Sequence, residues 1–471
     1  MEQHSSIRRI LRPSLFSAAV FTCALASFAQ SQALMLSSNS GGGERQPIVT
    51  DEGEVIFAAM RGSSRELFVV PVDGGTTTQL TQARDVRLGY GTFDSWPSFS
   101  ADASGKKITF WDTSGVQVLD RGTQTLTTIS TANSHAYPRI DGKGENVVYQ
   151  AIVNGSFEVF YRKLGANAPI QITTQSGEGR RFPDLLGGYV IYQKPAQGAQ
   201  EVFVFDLGTN TETQLTSQSG LGNRYGQLTA DGKSVVYERT IAGKTREAYI
   251  IDLATAQPRA LTQLATNGER LGTPTRDGYV FAQDWKRKLG VVRIDITRKD
   301  ADLPVTAGGA GGLRRPKADP HGHVVVYQDI DPATGSLEVW RYRLCPSLAT
   351  SDYGASGTPS VGTIGSAFAD WYRCELTLGR RTTVPTSRVA VLILGAQQLN
   401  LSLGSVAPGN SLYTDTLVLL PTLVTASGDM ALTIPLPAAA TATLFTQWAL
   451  IDARANTLGV VTSAATRVDL R

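Results

Sequence analysis

Asn223 to Tyr237 reads NRYGQLTADGKSVVY, and the order of residue types in it dictates a local structure. Gly226 interrupts the first short run, Asp231-Gly232 is the kind of pair that supplies a tight turn, and Val235-Val236-Tyr237 is a β-branched and aromatic run suited to a buried strand. Two antiparallel strands joined by a hairpin are therefore expected. Reading outward, Glu247-Ala248-Tyr249 continues as a third strand and Leu261-Thr262 marks a fourth.

The same succession occurs seven times, beginning at Pro47, Pro97, Pro138, Pro183, Gly226, Gly272 and Pro316, with spacings of 50, 41, 45, 43, 46 and 44 residues. A period near 45 residues with four short strands per unit is that of a β-propeller blade. The predicted second strands carry Val55-Ile56-Phe57, Ile108-Thr109-Phe110, Val147-Val148-Tyr149, Val190-Ile191-Tyr192, Val235-Val236-Tyr237, Tyr279-Val280-Phe281 and Val325-Val326-Tyr327. Six units close on an apolar-Thr/Ser signature: Leu80-Thr81, Ile129-Ser130, Ile172-Thr173, Leu215-Thr216, Leu261-Thr262 and Val305-Thr306. The seventh stops at Leu344 without one. Leu34-Met35-Leu36-Ser37 offers a substitute, because Ser37 precedes Pro47 by ten residues, the interval that separates Thr173 from Pro183 and Thr216 from Gly226. The expectation is an all-β chain: a seven-bladed β-propeller closed by an N-terminal strand, followed by a small antiparallel β-sandwich.

Asn223 to Tyr237, with Glu247 to Asp252 and Leu261-Thr262 after it, resembles the WD-like repeat of TolB-type β-propellers, and the likeness runs over residues 34–344. That resemblance implies a propeller that binds other macromolecules. Members of the TolB type carry a mixed α/β domain ahead of the propeller, for which the stretch from Ala29 to Pro47 leaves no room.

Residues 1–29 have the pattern of an export signal: Arg8, Arg9 and Arg12, an apolar stretch from Ser14 to Leu25, then Ser27-Phe28-Ala29 as a small-x-small cleavage site. An extracytoplasmic protein, periplasmic or secreted, is expected. Nothing later approaches the roughly 18 apolar residues of a membrane span. Removing the signal takes the formal charge from +3 to +1, which argues against a nucleic-acid partner. Gly at 47 of 471 residues and only 18% charged residues suit strands and turns better than helices. From Cys345 charges thin out and short apolar runs appear at Val389 to Leu394, Leu399 to Leu403, Leu417 to Leu423, Ala431 to Leu436 and Leu444 to Ile451, so residues 345–471 are read as the sandwich and residues 30–344 as the propeller. Cys345 and Cys374, the cysteines left after the signal, are expected to form a disulfide.

No G-x-S-x-G elbow is present, and the mature chain keeps only three histidines. His321-Gly322-His323 could supply two metal ligands, but the pair aligns with the turn at Asp231 to Lys233, and a solvated turn explains it without a metal. Asp329, Asp331, Gly335 and Glu338 miss the spacing of a calcium loop, and Lys286-Arg287-Lys288 beside Trp285 reads as a solvated hairpin. Neither a catalytic constellation nor a cofactor is expected. One pattern repeats: two residues before the anchors stand Arg45, Arg181, Arg224, Arg270 and Arg314, arginine in five of seven equivalent positions. Equivalent positions form a ring, so these guanidinium groups are candidates for a cationic channel mouth that binds carboxylates or phosphates; pairing with Glu44, Glu178 or Glu269 is the competing explanation. The chain is thus read as a monomeric, noncatalytic binding protein for a protein or an anionic glycan. The alternative is a polyuronate lyase with Tyr137 or Tyr225 as the base.

Overall fold

The computed structural model describes residues 33–37, 45–88, 98–131, 136–174, 177, 179, 181–217, 222–241, 245–261, 269–284, 290–296, 302–304, 316–331, 333–344, 348–360, 363–372, 375–383, 388–408, 410–415, 418–424, 429–435 and 442–470. The fold is all-β. It divides into two compact units, Ala33–Arg343 and a C-terminal unit that starts at Leu344. No helix among the described residues is long and apolar enough to cross a membrane.

In the first unit the described residues form seven four-stranded antiparallel sheets. Six take consecutive strands, as in Asn223–Leu228, Ser234–Ile241, Thr245–Asp252 and Pro258–Ala260. In the remaining sheet, Lys317–Ala318, Val324–Ile330 and Leu337–Arg343 are joined by Ala33–Met35, whose Leu34 pairs with Arg341. The second strands are buried on both faces because each sheet packs on the next. Phe57, Val55, Val326 and Val339 share one apolar cluster between the first and last sheets, and Ile56, Leu67, Phe99 and Phe110 share another between the first and second. Burying each such side chain is worth roughly 1.5–3 kcal/mol, so the repeat's V-V-Y runs carry most of the cohesion between sheets.

The fourth strands differ in detail from the sequence expectation. Thr78–Gln79, Ile170–Gln171 and Thr211–Gln214 end before the apolar-Thr signature. The threonines serve as clamps instead. Thr81 Oγ1 donates to Glu66 at 2.6 Å and accepts from the Leu67 N–H at 2.9 Å. Thr173 does the same with Glu158 and Val159, and Thr216 with Glu201 and Val202. In the last sheet Ser37 takes this role, donating to Glu338 at 2.7 Å and accepting from the Val339 N–H at 2.8 Å. All four carboxylates are buried.

The inner strands, among them Arg45–Val49, Asn223–Leu228 and Glu269–Pro274, carry a bulge at the Pro or Gly anchor. Just before it Gln46, Tyr137, Phe182 and Tyr225 adopt positive φ, from 43° to 57°. A glutamine of the preceding sheet holds this strained backbone: the Phe182 N–H donates to Gln150 Oε1, the Tyr225 N–H to Gln193 Oε1, and the Gln46 N–H to Gln328 Oε1. Gly226 is required by close approach, since a Cβ there would lie 2.8 Å from both Ile191 and Val202.

The C-terminal unit has a five-stranded sheet, in which Val389–Gly395 lies between Val418–Leu423 and Ala442–Ile451, and a three-stranded sheet of Ile364–Tyr372, Glu375–Thr382 and Met430–Pro435. Leu376, Leu378 and Met430 from the smaller sheet meet Leu392, Trp448 and Val468 from the larger in one core. Val460–Leu470 and Glu375–Thr382 are strands the sequence reading did not mark; their Thr, Ser, Ala and Arg content hides the alternation. Cys345 and Cys374 lie outside the described residues.

Ser37→Ala leaves the buried Glu338 and the Val339 N–H each short of a partner, so it is expected to cost about 2 kcal/mol of stability. Thr216→Ala is expected to cost a similar amount. Urea denaturation checks this: an unmoved midpoint for Ser37→Ala beside a lowered one for Thr216→Ala would exclude the N-terminal strand from the cooperative unit.

Candidate functional site

In each sheet of the first unit, one inner-strand residue pairs with the middle of the second strand's apolar triplet, and in the first, fifth and sixth sheets a bulge lies just before it. These residues are Ile48, Ser100, Arg139, Asp184, Gln227, Pro274 and Lys317. All seven line one cavity of about 300 Å³. Three of them are charged. Arg139 and Lys317 are more than nine-tenths buried, and each acts electrostatically on the other and on Asp184.

Burial dominates all three ionisations. It lowers the Lys317 ammonium to about 7, helped by the nearby Arg139 charge and opposed by Asp184. It lowers Arg139 to about 10 against the attraction of Asp184. The Asp184 carboxyl is pushed up by the same burial, while Arg139, the Leu228 N–H and Lys317 favour its charged form. The Leu228 N–H donates to Asp184 Oδ2 at 3.3 Å, and Arg139 Nη1 donates to Pro138 O at 3.1 Å. Two basic groups thus lie within electrostatic reach of Asp184 in a partly dry part of the cavity, whose lining also carries Asp51, Asp102, Asp319 and Arg276.

One end of the cavity is bordered by the turns that follow the inner strands. Arg276 Nη2 lies 3.3 Å from Asp51 Oδ2. Burial raises the Asp51 carboxyl, with Arg276 and His321 pulling it down and Asp319 pushing it up. His321 Nδ1 is 3.0 Å from Asp277 Oδ1, and His323 Nε2 is 3.7 Å from Asp277 Oδ2. The sequence reading lacked a third ligand for this histidine pair, and Asp277 on the neighbouring sheet is in the right place to be one.

The arginines two residues before the anchors stand elsewhere. Arg181 is fully buried, its Nε donating to Phe157 O at 2.8 Å and a terminal nitrogen to Gly177 O. Arg45 and Arg224 are half-buried and do not line the cavity. They precede the bulge, at the opposite end of the inner strand from the turns. The side chain of Arg270 and all of Arg314 lie outside the described residues, as do Glu44, Glu178, Trp285 and Lys286 to Lys288. Tyr137, Phe182 and Tyr225 pack ring against ring at 5.0 Å, away from the cavity lining. Asp331 accepts from Thr334 in a polar hairpin between Val324–Ile330 and Leu337–Arg343.

Arg139, Asp184 and Lys317 escaped sequence reasoning. Each is a charged residue directly after an anchor proline, and that was the available signal.

No family model matches the chain, and no curated protein matches it. Among solved structures, it is similar to an oligogalacturonate lyase in complex with manganese, with a TM-score of 0.52 and 10% identity over 66% of this chain and 92% of that one. It is also similar to TolB from Acinetobacter baumannii, with a TM-score of 0.39 and 16% identity over 65% of each chain. The β-propeller domain of the trilobed protease from Pyrococcus furiosus matches with a TM-score of 0.45 and 13% identity over 64% of this chain and 95% of that one. At these identities the likeness concerns the fold, a β-propeller scaffold.

The folded chain releases the Lys317 proton near pH 7, whereas an unfolded lysine holds it to about 10.4. Between those values the unfolded state binds more protons, so this group makes stability rise with pH; below about 7 the full cost of the buried charge is present. Lys317→Met is expected to raise the melting temperature at pH 6 and to lose that advantage as pH climbs toward 10. Calorimetric scans across that range provide the check, and an equal gain at every pH would contradict it.

Proposed function

We propose that the chain is an extracytoplasmic, monomeric, noncatalytic binding protein that takes a carboxylate-bearing partner, an acidic glycan or an acidic protein segment, into its central cavity. The scaffold is read as a seven-bladed β-propeller spanning residues 30–344. Its last blade is closed by the N-terminal strand, and the Ser37 clamp on Glu338 supports that closure. Residues 345–471 are read as a β-sandwich accessory module tied by Cys345–Cys374, with residues 1–29 as the export signal.

The observation that carries the functional reading is the burial of two basic groups, Arg139 and Lys317, in one cavity within electrostatic reach of each other and of Asp184. A ligand carboxylate would add an anion beside two desolvated cations. Arg45, Arg181, Arg224, Arg270 and Arg314 remain the candidate ring for the opposite end of the channel. Half-buried Arg45 and Arg224 suit that role better than Arg181, whose guanidinium is engaged with backbone carbonyls.

A polyuronate lyase is the second reading, and Lys317 favours it: an amine with a pKa of about 7 can remove the proton α to a uronate carboxylate while Arg139 holds that carboxylate. The tyrosines lose ground as candidate bases, because Tyr137 is fully buried and Tyr225 stacks on Phe182.

The two readings have opposite pH signs. A binding site needs Lys317 charged, so affinity for an oligouronate should fall as pH rises through about 7, and Arg139→Met or Lys317→Met should each weaken it at least tenfold at pH 6. A lyase needs Lys317 neutral, so its rate should climb over the same interval. Titration calorimetry from pH 5.5 to 8.5, with ultraviolet detection of unsaturated product, separates them. Neither binding nor product with any acidic glycan or peptide would refute both.

A further inference from the structure

We propose that Asp277, His321 and His323 form a binding site for a divalent transition-metal ion at the turn end of the channel. His321 and His323 occupy the turn between Lys317–Ala318 and Val324–Ile330, and Asp277 occupies the equivalent turn of the preceding sheet, before Tyr279–Asp284. Gly322 between the histidines has a φ of 78°, and the two imidazoles lie face to face with centroids 5.4 Å apart and planes inclined by 21°. The two turns are joined by the Arg276 N–H donating to Pro320 O at 2.5 Å. The three donor atoms therefore come from backbones that are fixed to one another.

Their spacing suits a metal. One ligand atom from each of the three residues lies within 4.8 Å of the other two. Nitrogen and oxygen ligands at 2.0–2.1 Å from a tetrahedral ion sit about 3.3 Å apart; His321 Nδ1 lies 3.0 Å from Asp277 Oδ1 and His323 Nε2 lies 3.7 Å from Asp277 Oδ2, so each imidazole faces one oxygen of the carboxylate at close to that spacing. Asp319 Oδ2 lies 4.0 Å from His323 Nδ1, where a small movement would let it orient the imidazole whose other nitrogen faces the metal position. The Asp277 carboxylate is buried and the histidines are more open, His321 most of all, so an ion can enter from the solvent side. Two imidazoles and one carboxylate select borderline ions such as zinc, copper or nickel over calcium, which prefers a cage of oxygens.

Three protein ligands leave a position for water or for a ligand carboxylate. That last role rests on the reading of the cavity as an anion site; metal uptake itself does not. The test is isothermal titration of the metal-free purified chain with zinc chloride, in the absence of any glycan, with calcium chloride as the control. The wild type is expected to bind about one zinc and no calcium. His321→Ala/His323→Ala and Asp277→Asn are each expected to weaken zinc binding at least tenfold. Because His321 sits on an open turn but partners the buried Asp277, His321→Gln, which keeps an amide donor for that carboxylate, should keep the metal-free unfolding midpoint while losing affinity, which separates loss of the site from loss of the fold. Absence of zinc uptake by the wild type, or unchanged uptake in the histidine variants, would overturn the proposal and leave these groups as plain Asp–His pairs. Zinc uptake without oligouronate binding would keep the metal site and refute only the anion reading of the cavity.

Discussion

A carboxylate buried between packed β-sheets is tolerable only when donors surround it, and the first unit is organised around meeting that condition repeatedly. In the first, third, fourth and last sheets a glutamate of the third strand is sealed from solvent and receives a Thr or Ser hydroxyl, whose oxygen in turn accepts the next backbone N–H. One hydroxyl thus ties the end of the fourth strand to the third with two hydrogen bonds. In the last sheet the hydroxyl comes from Ser37, so the N-terminal strand of the first unit is held to its last sheet by the interaction that holds consecutive strands elsewhere. The Gln328 amide, accepting from the Gln46 N–H, adds a second tie between the same two regions.

The glutamine amides link this framework to the cavity. Each reaches from a second strand into the neighbouring sheet and holds a residue with positive φ just before the anchor. Such a conformation costs of order 1–3 kcal/mol in a non-glycine residue. It persists because the amide and the packed Tyr137, Phe182 and Tyr225 rings determine it from outside. In the first, fifth and sixth sheets a bulge precedes the cavity-lining residue, Ile48, Gln227 or Pro274. Arg139, Asp184 and Lys317 arrive at the cavity from three different sheets with their hydration largely removed, and a buried charge is a destabilising choice unless something uses it.

The architecture was legible in the sequence because it is repeated. The V-V-Y runs, the Asp-Gly turns and the apolar-Thr signatures each recur near 45 residues, and the ten-residue interval from Ser37 to Pro47 pointed to the partner of the last sheet. The C-terminal unit was legible only in part. Val389–Gly395 and Ala442–Ile451 are apolar enough to be recognised, whereas Val460–Leu470 alternates Thr, Ser and Ala with few large side chains. Within the first unit, arginine's recurrence two residues before the anchors drew attention to the end of the inner strand that does not line this cavity. Recurrence marks equivalent positions, and it does not say which of them faces the axis.

The sequence by itself determined the number of repeated units, the strand order within each, and which residues are apolar enough to hold neighbouring sheets together. These follow from side-chain type and local spacing, which act between residues close along the chain. Only the tertiary structure decided that Arg139, Asp184 and Lys317 share a cavity, that Asp277 meets His321 and His323, and that Arg181 is spent on backbone carbonyls. Those outcomes depend on the register of each inner strand against the second and on packing that brings residues of different sheets to one cavity. Neither leaves a periodic trace in the order of the amino acids.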